Sequence, residues 1–303
     1  MKVAVLITPL ARGAYFSDTV DVARHELEAL TGIRDPEHRT EGSLDFLQFE
    51  VDDPGPLFTL SFTQGVFEVC AGGLQPLDTN APFRLHDDWV FGTKYPGKTH
   101  ELVTQLAINL AQQFSTSGGK KLLDPMAGRG TTLLWALRYG FDARGIELDA
   151  SALDDLHRHI KRQAKLKRIK HQHRAGSVGE KREDGHGRFV LYELNGTTLQ
   201  LIAGDTIEME TLVGKARFDM VVCDLPYGVR FKGRGGRSPF DTVSAASKAW
   251  ADRLRPGGAM VIVHNRYQPK PDELRAGFES GGLEQLVFSS PLRMRESSVR
   301  ERG

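Results

Sequence analysis

Two short turns, their first residues one hundred positions apart, hold the side chains of this sequence best suited to chemistry. The first is Asp124-Pro125-Met126-Ala127-Gly128-Arg129-Gly130-Thr131. Gly128 and Gly130 allow backbone geometry closed to other residues and let a ligand come close. Such a turn can hold a nucleotide-like cofactor. The second is Asp224-Leu225-Pro226-Tyr227, which can hold a planar amine. An amino nitrogen whose lone pair is delocalised into a π-system is a poor nucleophile. An acceptor side chain and a backbone carbonyl can hold its two N–H bonds, favour pyramidalisation and aim the lone pair. Pro226 stiffens the turn, and Tyr227 can stack on a planar substrate.

A dinucleotide fold competes for the first turn. It needs G-x-G-x-x-G, with a third glycine for helix packing. Here the run is Gly128-Arg129-Gly130-Thr131-Thr132-Leu133, and the third glycine is absent. Asp124 at a strand end suits a cationic amino-acid moiety, as in S-adenosylmethionine, better than a pyrophosphate. Thr131 or Thr132 can cap the helix that starts there. In Gly145-Ile146-Glu147-Leu148-Asp149, Glu147 ends an apolar strand and can accept both ribose hydroxyls, while Asp149 can cap the next helix. Asp205, after Ala203-Gly204, can take the adenine amino group. Each acid alone is as readily a cap or a turn residue. Three at successive strand ends are not.

The elements that must position these residues follow from periodicity. Residues 1–90 read as a small α+β domain: strand Val3–Thr8, helix Ser17–Leu30, and short strands at Leu44–Val51, Leu57–Phe62 and Gly65–Val69. Pro82, Gly92, Pro96 and Gly97 mark a boundary, and 91–303 form the second domain. There, helices are expected at Glu101–Phe114, Thr131–Tyr139, Leu153–Lys170, Ser244–Leu254 and Glu273–Glu279. Strands are expected at Lys121–Leu123, Ala143–Glu147, Phe218–Cys223, Ala259–His264 and Glu284–Phe288, with a hairpin of Val190–Leu194 and Leu199–Ile202 around Asn195-Gly196. This βαβ alternation implies a mostly parallel sheet covered on both faces, with ligands at the carboxyl ends of its strands.

Charge is unevenly placed. The net charge is +1, yet residues 1–90 carry 6 Lys/Arg against 15 Asp/Glu, and 158–188 carry 11 against 3. Gly228-Val229-Arg230-Phe231-Lys232-Gly233-Arg234-Gly235-Gly236-Arg237 is a basic loop after the second turn, suited to phosphates and a base. Residues 158–188 could extend that surface or be a solvated helix end and insertion. Two cysteines give no disulfide framework and fit a reducing, cytoplasmic setting. No run approaches a membrane span. No metal site is expected, because His157 and His159, like His171 and His173, are two apart, which does not place ligands on one helix face.

Residues 94–290 resemble the class I S-adenosylmethionine-dependent methyltransferases, on Asp124–Thr131, Glu147, Asp205 and Asp224–Tyr227. The resemblance implies an α/β, Rossmann-like, mostly parallel seven-stranded sheet beside the small N-terminal α+β domain. It also implies S-adenosylmethionine held by Asp124, Pro125, Gly128, Gly130, Thr131, Glu147 and Asp205. Lys94-Tyr95-Pro96-Gly97-Lys98-Thr99 resembles the segment that closes over the methionine end, which adds Thr99. Asp224–Tyr227 resembles the (Asp/Asn/Ser)-Pro-Pro-(Tyr/Phe) turn of amino-methyltransferases and departs from it at Leu225, where only the backbone carbonyl is needed. With Gly228-Val229-Arg230 following, the nearest resemblance is to the transfer-RNA guanine-N2 methyltransferases. Arg230, Lys232 and Arg234 are then the substrate-binding cations, and transfer RNA or another RNA is the partner. Those enzymes carry an N-terminal RNA-binding domain. Residues 1–90 are short and acidic for one, which leaves dimerisation, a substrate lid or docking of a basic partner as their role. N-methylation of a small molecule or peptide, and of adenine N6 in DNA, are the alternatives.

Overall fold

The structure is a computed structural model. It describes residues 1–15, 19–78, 82–91, 100–179, 183–226, 236–264, 270–280 and 282–284. The chain divides into two compact units, the first built on residues 1–82 with 100–113, the second on 83–99 with 114–286.

The first unit is an antiparallel sheet of β1 (Lys2–Ile7), β2 (Glu37–Glu41), β3 (Leu44–Glu50), β4 (Thr63–Cys70) and β5 (Gly73–Pro76), in the order β2-β3-β1-β4-β5. Helices α1 (Ala11–Tyr15) and α2 (Thr19–Thr31) follow β1. The expected strand over Leu57–Phe62 is instead a 3-10 turn, Gly55–Thr59. Pro54 and Pro56 fix φ at its start, and Pro56 has no N–H to give a ladder. Leu57, Leu60 and Phe62 are nonetheless buried, so the apolar pattern marks core without marking a strand. β2 has no apolar residue and every position is exposed. It is held by its ladder to β3 and by Thr40 donating to Asp45 at 3.0 Å.

A buried carboxylate joins three segments of this unit. Glu26 of α2 accepts from Ser61 N at 2.9 and 3.1 Å, from Ser61 Oγ, and from Asn109 Nδ2 at 2.7 Å. Asn109 lies on a third helix of the unit, Glu101–Phe114, expected from its apolar spacing. Burial pushes the Glu26 pKa up to about 7, against the pull of those hydrogen bonds.

The second unit opens with α3 (Asp88–Phe91); the helix Glu101–Phe114 of the first unit is α4. Its seven strands are β6 (Lys121–Asp124), β7 (Asp142–Glu147), β8 (His171–Ser177), β9 (Arg188–Leu194), β10 (Thr197–Ala203), β11 (Phe218–Asp224) and β12 (Leu254–Val263). They run in the order β12-β11-β6-β7-β10-β9-β8. The five from β12 to β10 are parallel, and β9 and β8 add antiparallel. The helices are α5 (Thr131–Tyr139), α6 (Ser151–Leu166), α7 (Met209–Val213), α8 (Pro239–Asp252) and α9 (Pro271–Ser280). β11 is buried from Phe218 to Cys223, an apolar run broken only by Asp219, which is buried as well. It packs with Leu123, Ile146, Ile202 and Trp250, and each such side chain stabilises the fold by about 1.5–3 kcal/mol. The order reverses between β6 and β11, which makes that junction the topological switch point.

Three local outcomes differ from expectation. The hairpin at Asn195-Gly196 forms, both residues taking positive φ, +49° and +75°. Beyond it, however, β8 forms in the segment read as either an extension of the basic surface or a solvated insertion, although only its last residue is not exposed. On a strand, a spacing of two places His171 and His173 on one face. There His173 meets His157 and Tyr192, ring centroids 4.6 and 4.9 Å away. β12 starts at Leu254, before Pro256-Gly257-Gly258, and absorbs that turn as a shift of register against β11. α8 starts five residues before the expected Ser244, at Pro239, because Ser238 and Asp241 form a reciprocal capping box. The expected strand Glu284–Phe288 falls, after 284, outside the described residues.

Candidate active site

Four acids stand at the carboxyl ends of four adjacent parallel strands. Asp224 ends β11, Asp124 ends β6, Glu147 ends β7, and Asp205 follows β10. The switch point lies between Asp124 and Asp224. Across the ladders Asp124 is opposite Gly145, and Glu147 is opposite Ala203.

Asp124 is 2% exposed. Its Oδ1 accepts from Met126 N at 3.0 Å, and the Thr132 hydroxyl bonds the same carboxylate. Burial is the largest influence on its pKa and carries it to about 7; the charges of Asp224 and Glu147 push in the same direction. A cation placed among these acids would relieve desolvation and repulsion together. The neighbouring Cys223 thiol is also pushed up by burial and by Asp124 and Asp224, so it stays protonated.

The glycine-rich turn is fixed from β7. Ala127 N donates to Ile146 O at 2.8 Å, and Gly128 N donates to Glu147 Oε2 at 2.8 Å. Gly128 and Gly130 have φ of +52° and +86°, which L side chains rarely adopt. A Cβ on Gly128 would meet nothing within 4 Å, so the turn is open on that side. The residue at the start of α5 is Gly130, and no side chain caps it. The threonines therefore do not act as the expected cap: both are buried, and Thr132 serves Asp124. Pro125, between Asp124 and Met126, is buried as well.

Sequence reasoning overlooked Gly145. A Cβ there would lie 2.7 Å from Ala127 Cβ and 2.8 Å from Leu133 Cδ1. The close helix–sheet approach of a dinucleotide turn is thus present, but the glycine that permits it stands on the facing strand. A glycine inside an apolar strand is the signal that could have found it.

Glu147 is partly buried, and burial raises its pKa. Its oxygens accept from Gly128 N and, at 2.9 Å, from Asp149 N, and the Leu148 amide bonds the same carboxylate, which leaves one lone-pair position for a hydroxyl. Asp149 lies one residue before the N-cap, which is Ala150 and has no side-chain cap; it accepts from Ser151 N at 2.9 Å and Ser151 Oγ at 2.8 Å. Asp205 accepts from Ile207 N at 3.1 Å and pairs with Arg237, a contact the sequence did not suggest. Leu225 is 1% exposed, with its side chain in the core and its N–H on Val263 O at 2.8 Å. The turn after β11 is thereby anchored through the residue that departs from the commoner motif. Pro226 is partly buried. Thr99, Tyr227, Arg230, Lys232 and Arg234 lie outside the described residues. Among the described residues, the exposed His86, Asp87 and Asp88 bring three ligand-type atoms within 4.8 Å of one another. These groups pair among themselves, His86 Nδ1 to Asp87 at 2.6 Å.

Residues 96–270, more than half of the chain, match the family described as RMKL-like, methyltransferase domain. The chain belongs to that family. No curated protein matches it by sequence. Among solved structures it is similar to a 16S rRNA N2 methyltransferase of T. thermophilus (RsmC), solved with AdoMet and guanosine, at 19% identity and TM-score 0.39. That match covers 84% of this chain and 56% of the other. TrmN from Thermus thermophilus is similar at 12% identity and TM-score 0.42, over 91% of each chain. A SAM-dependent methyltransferase from Agrobacterium tumefaciens is similar at 13% identity and TM-score 0.42, over 72% of this chain and 65% of the other.

Proposed function

We propose that this methyltransferase moves the methyl group of S-adenosylmethionine to an exocyclic amino nitrogen, N2 of guanine in transfer RNA. The observation that carries the proposal is the pair of acids flanking the switch point. Asp124 is buried beside a glycine turn open to a ligand. Asp224 heads the turn that can grip an amine.

The residues present suit the cofactor. Asp124 holds its ammonium group, Glu147 its ribose hydroxyls and Asp205 its adenine amino group, with Arg237 moving aside or sharing the carboxylate. Pro125, Gly128, Gly130 and Thr131 shape the turn, and Thr99 covers the methionine end. Bound there, the cofactor supplies a methyl group on a positively charged sulfur. Asp224 and the Leu225 carbonyl take the two N–H bonds of the target, so that its lone pair points at the methyl carbon without reorientation. As the new N–C bond formed and the methyl C–S bond broke, leaving a neutral thioether, one of those protons would leave towards Asp224. Pro226 limits motion of the turn, Tyr227 stacks on the base, and Arg230, Lys232 and Arg234 hold phosphates.

The guanine assignment rests on the run from Asp224 to Arg230 and its resemblance to transfer-RNA enzymes. The excess of acids in residues 1–90 favours, as a second reading, a small-molecule or peptide amine. No described helix is long and apolar enough to cross a membrane, and Cys70 and Cys223 are free thiols, which supports a cytoplasmic setting. The test is transfer of label from S-adenosylmethionine into unmodified total transfer RNA, followed by nucleoside analysis. Label in N2-methylguanosine supports the proposal. A chain that binds the cofactor but labels no transfer RNA leaves the second reading.

A further inference from the structure

The far end of α6 carries cations that no described acid pairs with. Lys161, Arg162, Lys165, Arg168 and Lys170 are exposed and, with Ala164, Ile169 and His171, line an open groove of about 590 Å³. Their neighbours do have partners: Arg158 pairs with Asp155, and Lys167 with Asp88. Cations in a last helical turn are favoured by the helix dipole, but that effect fades within the turn. It does not account for Lys161 and Arg162, nor for Lys170 beyond the helix.

The backbone gives a second, independent sign. α6 ends in a Schellman motif, with Ile169 N donating to Ala164 O at 2.9 Å and Arg168 N to Lys165 O at 3.4 Å. The residue that must turn left-handed in this motif is usually glycine. Here it is Arg168, at φ +53°. A side chain in that conformation costs roughly 1–2 kcal/mol. The sequence therefore keeps a guanidinium at the lip of the groove against the local backbone preference.

We propose that this groove docks the phosphate backbone of a structured RNA, away from the site where the base reacts. The proposal rests on the RNA reading given above. α6 begins beside Glu147 and runs away from it for 16 residues, which is about 24 Å at ~1.5 Å per residue. A single nucleotide cannot touch both places. A stacked strand needs about seven nucleotides to span them, at ~3.4 Å per step. The groove thus reads the size and fold of the substrate, and the strand-end turns read the base. Phosphates match five cations over an apolar floor with no acid among the lining residues.

The test is a charge reversal on the exposed face of α6, K161E/R162E/K165E, in the full chain. Binding of a folded transfer RNA and of a guanosine-containing hexanucleotide is measured by fluorescence anisotropy over a range of salt, with S-adenosylhomocysteine affinity as the check on the fold. We expect affinity for transfer RNA to fall about tenfold or more at 0.15 M salt. The salt slope should shrink by roughly 2–3, near 0.7–0.9 for each lost phosphate contact. Hexanucleotide and S-adenosylhomocysteine binding should stay within about twofold. An unchanged slope, or equal loss for the hexanucleotide, overturns the groove. So does a variant that changes only its state of association, which would put the acidic surface of a second copy there. Groove-dependent RNA binding without methylation of transfer RNA would keep the groove and remove the target. Methylation with an unchanged slope would do the opposite.

Discussion

Each unit holds a buried carboxylate that burial brings to a pKa of about 7, Glu26 in the first and Asp124 in the second. Their surroundings differ. Glu26 is met by donors only: the Ser61 amide and hydroxyl and the Asn109 amide. Asp124 has two donors, Met126 N and the Thr132 hydroxyl, and stands within the fields of Asp224 and Glu147. The first acid is completed by its own chain and ties a helix to a loop. The second stands among charges of its own sign, which a cation placed there would relieve. A raised pKa therefore does not mark a site by itself; what marks it is which kind of group supplies the remaining contacts.

Removing each acid should separate the roles most clearly in activity. We expect Asp224→Ala to lower single-turnover methyl transfer by 10² or more, on the order of the loss from misplacing a reacting group, with S-adenosylmethionine affinity changed less than about threefold. Asp124→Asn should weaken cofactor binding by roughly 10- to 100-fold, the worth of a charged hydrogen bond. Glu26→Gln should leave both quantities unchanged. Isothermal calorimetry and rapid quench measure them. Loss of cofactor binding in a folded Asp224→Ala protein would remove the proposed division of labour across the switch point.

Stability against pH sharpens the comparison next. Each acid keeps its proton in the folded chain at pH values where the unfolded chain has lost it. Stability is therefore fullest below the unfolded pKa of each, and declines as pH rises towards about 7. For Glu26 the decline is on the order of 3 kcal/mol, taking ~1.4 kcal/mol per unit. Urea unfolding at pH 5 and 7.5 should show a smaller difference for Glu26→Gln and for Asp124→Asn than for the parent. Saturating S-adenosylmethionine should cancel the Asp124 part alone, because its ammonium holds that carboxylate ionised. Cofactor affinity should accordingly rise with pH up to about 7 and then level off. An affinity that is flat from pH 5.5 to 8 would remove Asp124 as the ammonium partner.

The legible parts of the molecule are those where burial leaves a periodic trace. β11 reads as a nearly continuous apolar run, the hairpin at Asn195-Gly196 as a turn between alternating strands, and α4 as an apolar face. The acids are legible because each follows such a strand. β2 and β8 are not, since their residues are exposed and their ladders draw on backbone groups that every sequence has. The roles of Gly145 and Arg237 depend on which strand or loop lies opposite. Gly145 is tight because the turn after β6 and the side chains of Leu133 and Leu201 close on it, and Arg237 meets Asp205 from 32 residues away. Gly145→Ala should therefore cost about 1–3 kcal/mol by overpacking and reduce cofactor affinity as the turn is pushed off β7. A fully stable variant with parental affinity would show that the turn can move without consequence.

The smallest effects test the comparison at single donors. Ser61→Ala removes one bond to Glu26, and Thr132→Val removes one bond to Asp124 at nearly constant volume. Each deleted donor had favoured the ionised acid, so each variant should move its acid's pKa further up and cost about 1 kcal/mol at pH 8. At pH 5, where both acids hold their protons, the cost should be smaller. Only Thr132→Val should carry the change into binding, by shifting the rise of cofactor affinity to higher pH. Ser61→Ala should leave that profile where it is, because the donors that meet Glu26 come from Ser61 and Asn109 of the other unit's core and not from the glycine-rich turn. If both variants shifted the profile, the two acids would be coupled, and the separation of a finished structural carboxylate from an unfinished functional one would fail.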